Sequence, residues 1–252
     1  MELLINLFNV VLYQPLFNAL VLLYEYLPGH DFGLAVIVLT VGIRLIFYPL
    51  GIRAIKSQKA LQELQPKIQE IQKKYKNDKE KQAKATMELY KKEKINPLSG
   101  CLPLLIQLPI LIALYRVFWK GLQPEAMTHL YSFVPHPGII DTSFFGILNL
   151  AQPSIILALF AGITQFFQTK MMTPKTPKAK KSDGQMGQFS GMMQKQMLYF
   201  FPIFTVLILW KLPSAIAIYW IVTSVFSIFQ QFLIFKPRTK TSFGTGQEKP
   251  KI

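Results

Sequence analysis

The chain has 252 residues, of which 51% are hydrophobic and only 16% charged, and it carries a net charge of +15. It is too apolar, and too sharply divided into apolar runs and basic connections, for an ordinary soluble domain, and reads as a polytopic membrane protein. Its one cysteine, Cys101, excludes an internal disulfide or a cysteine-based metal cluster. The basic excess comes without a nucleic-acid-reading motif, so sequence-specific nucleic-acid binding is not expected.

Residues 1–28 are apolar but interrupted by Asn6, Asn9, Gln14-Pro15, Asn18 and Glu25, and hold no Lys or Arg. They lack the basic start of a secretory signal and predict an amphipathic helix lying in the outer interface, or alternatively a sixth span.

Residues 32–51 form the first long apolar run, and Arg44 is its one charge before the cytoplasmic connection. At about 1.5 Å per residue, Arg44 lies roughly 17 Å from Gly33, just past the middle of a hydrocarbon core about 30 Å thick. A lipid-exposed arginine at that depth costs from about 3 to more than 10 kcal/mol, so such residues face a wet cavity, a partner or a substrate. All 13 acidic residues fall outside the apolar runs, so the spans contain no counter-ion for it.

Residues 53–95 are polar and helical in pattern on both sides of Asn77-Asp78. Leu61, Leu64, Ile68, Ile71 and Tyr75 recur at steps of three and four, the seam of a two-helix hairpin in water. Glu63/Lys67, Glu70/Lys74, Glu80/Lys84 and Glu88/Lys92 place the acid four residues ahead of the base, a favourable order on a solvated helix. Pro66 is expected to kink the first arm or to start a new helix.

Four more spans follow: 98–118, 151–169, 197–212 and 213–235. Cys101 is read as a small apolar packing residue. Residues 119–150, with Trp119 and several prolines, make an outer loop against the headgroups; residues 170–195 make a cytoplasmic loop; residues 236–252 make a basic cytoplasmic tail. Of the 28 Lys and Arg, 13 lie in 53–94, six in 170–195 and five in 236–252, so 24 share one face of the membrane. The positive-inside bias makes that face the cytoplasm.

Uncharged polar residues within the spans include Thr40, Gln107, Thr164, Gln165, Gln168, Thr223, Ser224, Gln230 and Gln231. Singly, such residues are usually interhelical glue. Together with an unpaired arginine at similar depth they indicate a hydrated cavity, bordered by Tyr219 and Trp220. The candidate substrate-binding residues are therefore Arg44, Thr40, Gln107, Gln165, Tyr219 and Trp220. No catalytic residue, cofactor or metal site is expected, since His30, His129 and His136 lie in outer connections and no acid lies within a span. An anion transporter or channel using Arg44 is the competing reading.

Several motifs together resemble the YidC-type membrane protein insertases of bacteria and their relatives in mitochondria and chloroplasts. They are Gln14-Pro-Leu-Phe17, Ile43-Arg-Leu-Ile-Phe-Tyr-Pro-Leu50, Leu64-Gln-Pro-Lys-Ile68, and Asn96 through Ile110 with Cys101, Pro103, Gln107 and Pro109. Phe201-Pro-Ile-Phe204, Pro213-Ser214, Tyr219 and Gln230-Gln231 add to them. The resemblance covers roughly residues 14–237 and implies an all-α bundle of five spans around a hydrophilic groove, open to the cytoplasm and to lipid and closed toward the outside. It implies that Arg44 is the groove arginine, that Thr40 and Tyr219 contact substrate, and that 53–95 is a mobile cytoplasmic hairpin. The short form without a large outer domain is expected. Implied partners are nascent membrane proteins, the ribosome through the basic tail and hairpin, membrane lipids and the Sec translocon, in the bacterial plasma membrane.

Overall fold

The computed structural model describes residues 2–76, 78–96, 102–121, 123–173 and 196–235. Asn77, Cys101, most of the loop expected over 170–195 and the tail expected over 236–252 lie outside the described residues. The regular secondary structure of the described residues is helical apart from a two-stranded antiparallel ribbon, β1 (Ser143–Phe144) against β2 (Leu148–Asn149), set in the irregular stretch 130–154.

The helices are α1 (Glu2–Tyr26), α2 (Phe32–Ile46), α3 (Tyr48–Lys74), α4 (Lys79–Lys92), α5 (Leu102–Lys120), α6 (Ile155–Met172), α7 (Phe201–Leu209) and α8 (Ser214–Phe235). By length and composition α1, α6 and α8 are each able to cross a bilayer, and α2 with α3 does so if that bent pair is one span. The shorter apolar stretches Leu105–Trp119 and Leu198–Leu209 stand where the second and fourth spans are expected. This is an all-α polytopic membrane protein.

α8 is the hub, packed against α2, α3, α5, α6 and α7. Residues Ser214 to Tyr219 are buried on every side, and beyond them burial narrows to a stripe of Thr223, Ser224, Ser227, Gln230 and Gln231. α6 shows the reverse of a soluble helix. Its large residues Ile156, Leu159, Phe160, Ile163 and Phe167 are exposed at helical spacing, while Ala158, Ala161 and Gly162 are buried. In a bilayer there is no hydrophobic gain from burying Leu or Phe, so small residues take the helix–helix interface and large ones face the acyl chains. At Gly162 a Cβ would fall 2.4 Å from Val206 Cγ2 and 3.2 Å from the Pro202 carbonyl oxygen.

The expected first span, 32–51, is broken. α2 ends at Ile46, the backbone of Phe47 (φ −87°, ψ 8°) leaves the helix, and α3 departs at 67°. Pro49 occupies the first turn of α3, where its missing N–H is harmless; within one straight helix it would remove a donor and clash with the preceding turn. Pro66 lies inside α3, which runs through it without starting a new helix.

α3 and α4 pair as the hairpin. Leu64 and Ile68 are buried on the seam with Leu61, Ile71 and Tyr75 half-buried, as the heptad-like spacing requires. Gln82 Nε2 donates to the Gln72 carbonyl oxygen across the pair at 3.1 Å. The ion pairs differ from the expectation. Among the described residues they are Lys67–Glu93, which ties the two arms together, and Lys81–Asp78 at the start of α4; the expected pairs four residues apart are not formed. Solvated side chains lose entropy on pairing and gain little, so spacing alone does not enforce contact.

The hydrogen bond from Lys67, with its charge, holds the Glu93 carboxyl below its ordinary range. A carboxyl lowered on folding adds stability above its unfolded pKa, and that is lost as pH falls through the folded value. Spin labels on exposed positions of α3 and α4 should therefore report a broader interarm distance in acid, and Glu93→Gln should show that breadth at neutral pH. Equal distributions in both proteins at pH 7 would remove the pair from the hairpin's stability.

The segment between α5 and α6 is ordered and bonded to the bundle. Asn18 Nδ2 donates to the His129 carbonyl oxygen (3.0 Å), and Asn18 Oδ1 accepts from Tyr131 N (2.7 Å). Asp141 N donates to the Tyr24 hydroxyl (3.0 Å). Asp31 caps α2 by accepting from Leu34 N (2.8 Å) and also accepts from Phe145 N. Phe144 lies so close over Gly33 that a Cβ there would fall 2.0 Å from its ring. Ala215 N donates to the Leu150 carbonyl oxygen (3.1 Å), tying the start of α8 to the same segment. This end of α1, α2 and α8 is therefore covered.

Candidate functional site

Arg44 reaches the interior because it lies near the end of α2 on the side facing α5 and α8. Its neighbours Leu45 and Ile46 are exposed, whereas Ile43 and Thr40 are buried. The residue is half-buried. Its Nη2 donates to Gln107 Oε1 of α5 at 3.1 Å, and its Nε approaches Thr223 Oγ1 of α8 at 3.4 Å. Gln107 Nε2 in turn donates to the Tyr219 hydroxyl. One connected network thus joins α2, α5 and α8 through Arg44, Gln107, Tyr219 and Thr223.

The cation has no carboxylate within 4 Å among the described residues, whose ion pairs both lie in the hairpin. A guanidinium carries five N–H donors in a planar fork that matches a carboxylate. Two are directed at neutral oxygens here, which leaves donors for an incoming acceptor. Neutral partners hold the side chain in place without cancelling its charge.

The other expected residues are arranged differently. Thr40 lies one turn before Arg44 on α2, but it is buried and its hydroxyl donates back to the Val36 carbonyl oxygen at 2.6 Å. Trp220 Nε1 donates to Gln165 Oε1 at 2.9 Å, a separate link between α8 and α6. Of the six expected residues, Arg44, Gln107 and Tyr219 therefore share one network, Gln165 and Trp220 form a second, and Thr40 makes no side-chain bond to either.

Thr223 belongs to the first network although it was not among the six. Its spacing four residues after Tyr219 puts it on the same face of α8. That face continues as Ser227, whose Oγ donates to the Thr223 carbonyl oxygen (2.9 Å), and Gln230, which lies against Gly51 of α3. Gln231 Oε1, next along α8, is buried with no hydrogen-bond partner among the described residues. A polar path thus runs along α8 from the depth of Arg44 toward the hairpin side.

A sequence model described as "60Kd inner membrane protein" matches residues 22–242. Curated relatives carry the name "Membrane protein insertase YidC". That of Oceanobacillus iheyensis is 38% identical over 213 residues, covering 83% of this chain and 76% of the relative. That of Clostridium tetani is 37% identical over 215 residues, covering 85% of this chain and 86% of the relative. That of Geobacter metallireducens is 36% identical over 228 residues, or 90% of this chain but 37% of the longer relative. With a match this long and relatives this similar, the chain belongs to the 60Kd inner membrane protein family, the family of the YidC-type membrane protein insertases.

Proposed function

We propose that this chain is a membrane protein insertase that carries hydrophobic segments of nascent proteins past Arg44 into the bilayer without nucleotide hydrolysis. The observation that carries the reading is a half-buried guanidinium held by neutral groups, Gln107 and Thr223, at the depth of the spans. An entering chain faces the desolvation of its polar flank and backbone, each unsatisfied group costing several kcal/mol in hydrocarbon. Polar side chains along α8 and α5 shorten the dry part of that path. Arg44 attracts an acidic residue near the leading end, more strongly than in water because the surroundings are less polar. The leading end then crosses outward while the apolar segment leaves sideways into lipid, driven by transfer of its own surface. A membrane potential positive outside favours an anionic leading end by about 2.3 kcal/mol per charge per 100 mV.

In this reading the hairpin and the C-terminus face the cytoplasm, where the basic segments meet the ribosome and anionic lipid. The Sec translocon is a further partner, and assistance in folding a further activity. Liposomes containing only the purified protein test autonomous action. A single-span substrate with an acidic tail should become protected from added protease, and the same liposomes should show no saturable anion flux. Flux without insertion would favour the transporter reading.

A further inference from the structure

A second charge stands in the apolar bundle, Arg116 of α5. It is half-buried, and its Nη1 donates to Asn9 Oδ1 of α1 at 2.8 Å. The guanidinium carbon lies 5.6 Å from the centre of the Phe8 ring and 5.1 Å from that of Tyr13. α1 brings these three residues to one side because Asn9–Tyr13 is a π turn. With more residues per turn than an α-helix, it aligns positions four and five apart.

The aromatic faces lower the cost of the charge but accept no hydrogen bond in its plane. Asn9 is the one hydrogen-bond acceptor to Arg116 among the described residues, and no carboxylate lies within 4 Å. Most of its donors are therefore unspent. Arg116 sits four residues before the end of α5 at Lys120, about 6 Å along the axis, within reach of the interface for a long side chain. One turn on, exposed Trp119 stacks on Tyr115, the kind of aromatic pair that settles at headgroup level. The abundant acceptor at that level is phosphate, whose oxygens match a guanidinium fork.

We propose that Arg116, framed by Asn9, Phe8 and Tyr13 where α1 meets α5, seats the phosphodiester of one phospholipid in the leaflet opposite the hairpin. The seat rests on α5 crossing the membrane and not on the insertase reading. An insertion-inactive protein that keeps Arg116-dependent lipid would leave it standing.

The test is native mass spectrometry of the full chain released from detergent and titrated with phosphatidylglycerol. Arg116→Gln should weaken the tightest-bound lipid about tenfold, as loss of a charge-assisted bond does. Asn9→Ala removes the protein's own acceptor but keeps the cation, and should hold the lipid to within about threefold. Unchanged binding in Arg116→Gln would overturn the seat. So would an equal loss in Asn9→Ala, which would make Arg116 a clamp between α1 and α5. Displacement of the lipid by millimolar inorganic phosphate would make this a free-phosphate site and equally overturn the proposal.

Discussion

Replacing Arg44 by glutamine should reduce insertion of a substrate with an acidic leading tail by about tenfold or more, whereas Arg44→Lys should keep most of it. A pair of unit charges about 4 Å apart is worth roughly 1 kcal/mol in water and about 4 kcal/mol at the effective dielectric of a protein surface. Each 1.4 kcal/mol or so is a factor of ten, so even a partly hydrated groove gives a loss of this size. A substrate whose tail is neutral should insert equally well with either residue, since the proposed gain is electrostatic. The measurement is the protease-protected fraction in liposomes made with each variant. Equal insertion of the acidic-tailed substrate by the glutamine variant would show that the charge does not assist the crossing. Gln107→Leu should have a smaller effect in the same assay. It removes one neutral acceptor from Arg44 and the donor to Tyr219, yet leaves the charge in place.

Gly162→Ala should destabilise the bundle by about 1–3 kcal/mol, the usual cost of forcing volume into a filled interface. The added methyl would fall 2.4 Å from Val206 Cγ2 and 3.2 Å from the Pro202 carbonyl oxygen. The valine can turn or be trimmed, but the carbonyl belongs to the first turn of α7 and moves only with the helix. Val206→Ala should accordingly recover part of the loss and not all of it. The midpoint of thermal unfolding in detergent, measured for both single variants and the double variant, gives the coupling. If Gly162→Ala melts with the parent protein, α6 and α7 do not pack through this contact.

Some of this architecture is readable from local pattern. The seam Leu61, Leu64, Ile68, Ile71 and Tyr75 follows from spacing alone, because a helix brings every third and fourth residue to one face. Arg44 is visible as a charge in an apolar run. Arg116 stands in the next run and could have been found by the same signal, but its place among Asn9, Phe8 and Tyr13 depends on a π turn in a helix more than 100 residues earlier. The bend at Phe47 has a local cause in Pro49, yet its size, 67°, does not follow from that proline.

Composition and periodicity determined that the chain is a helical membrane protein with a polar hairpin and a charge set within its first long apolar run, since transfer of apolar side chains and helical repeat are properties of short segments. Only tertiary structure decided that Gln107 and Thr223, 63 and 179 residues away, hold Arg44, that Tyr219 joins them through Gln107, and that Thr40 turns back to its own helix. The reason is geometric. A helix presents a residue to whichever neighbour packs on that face, and in lipid that choice rests on small residues and shape, which no single segment records.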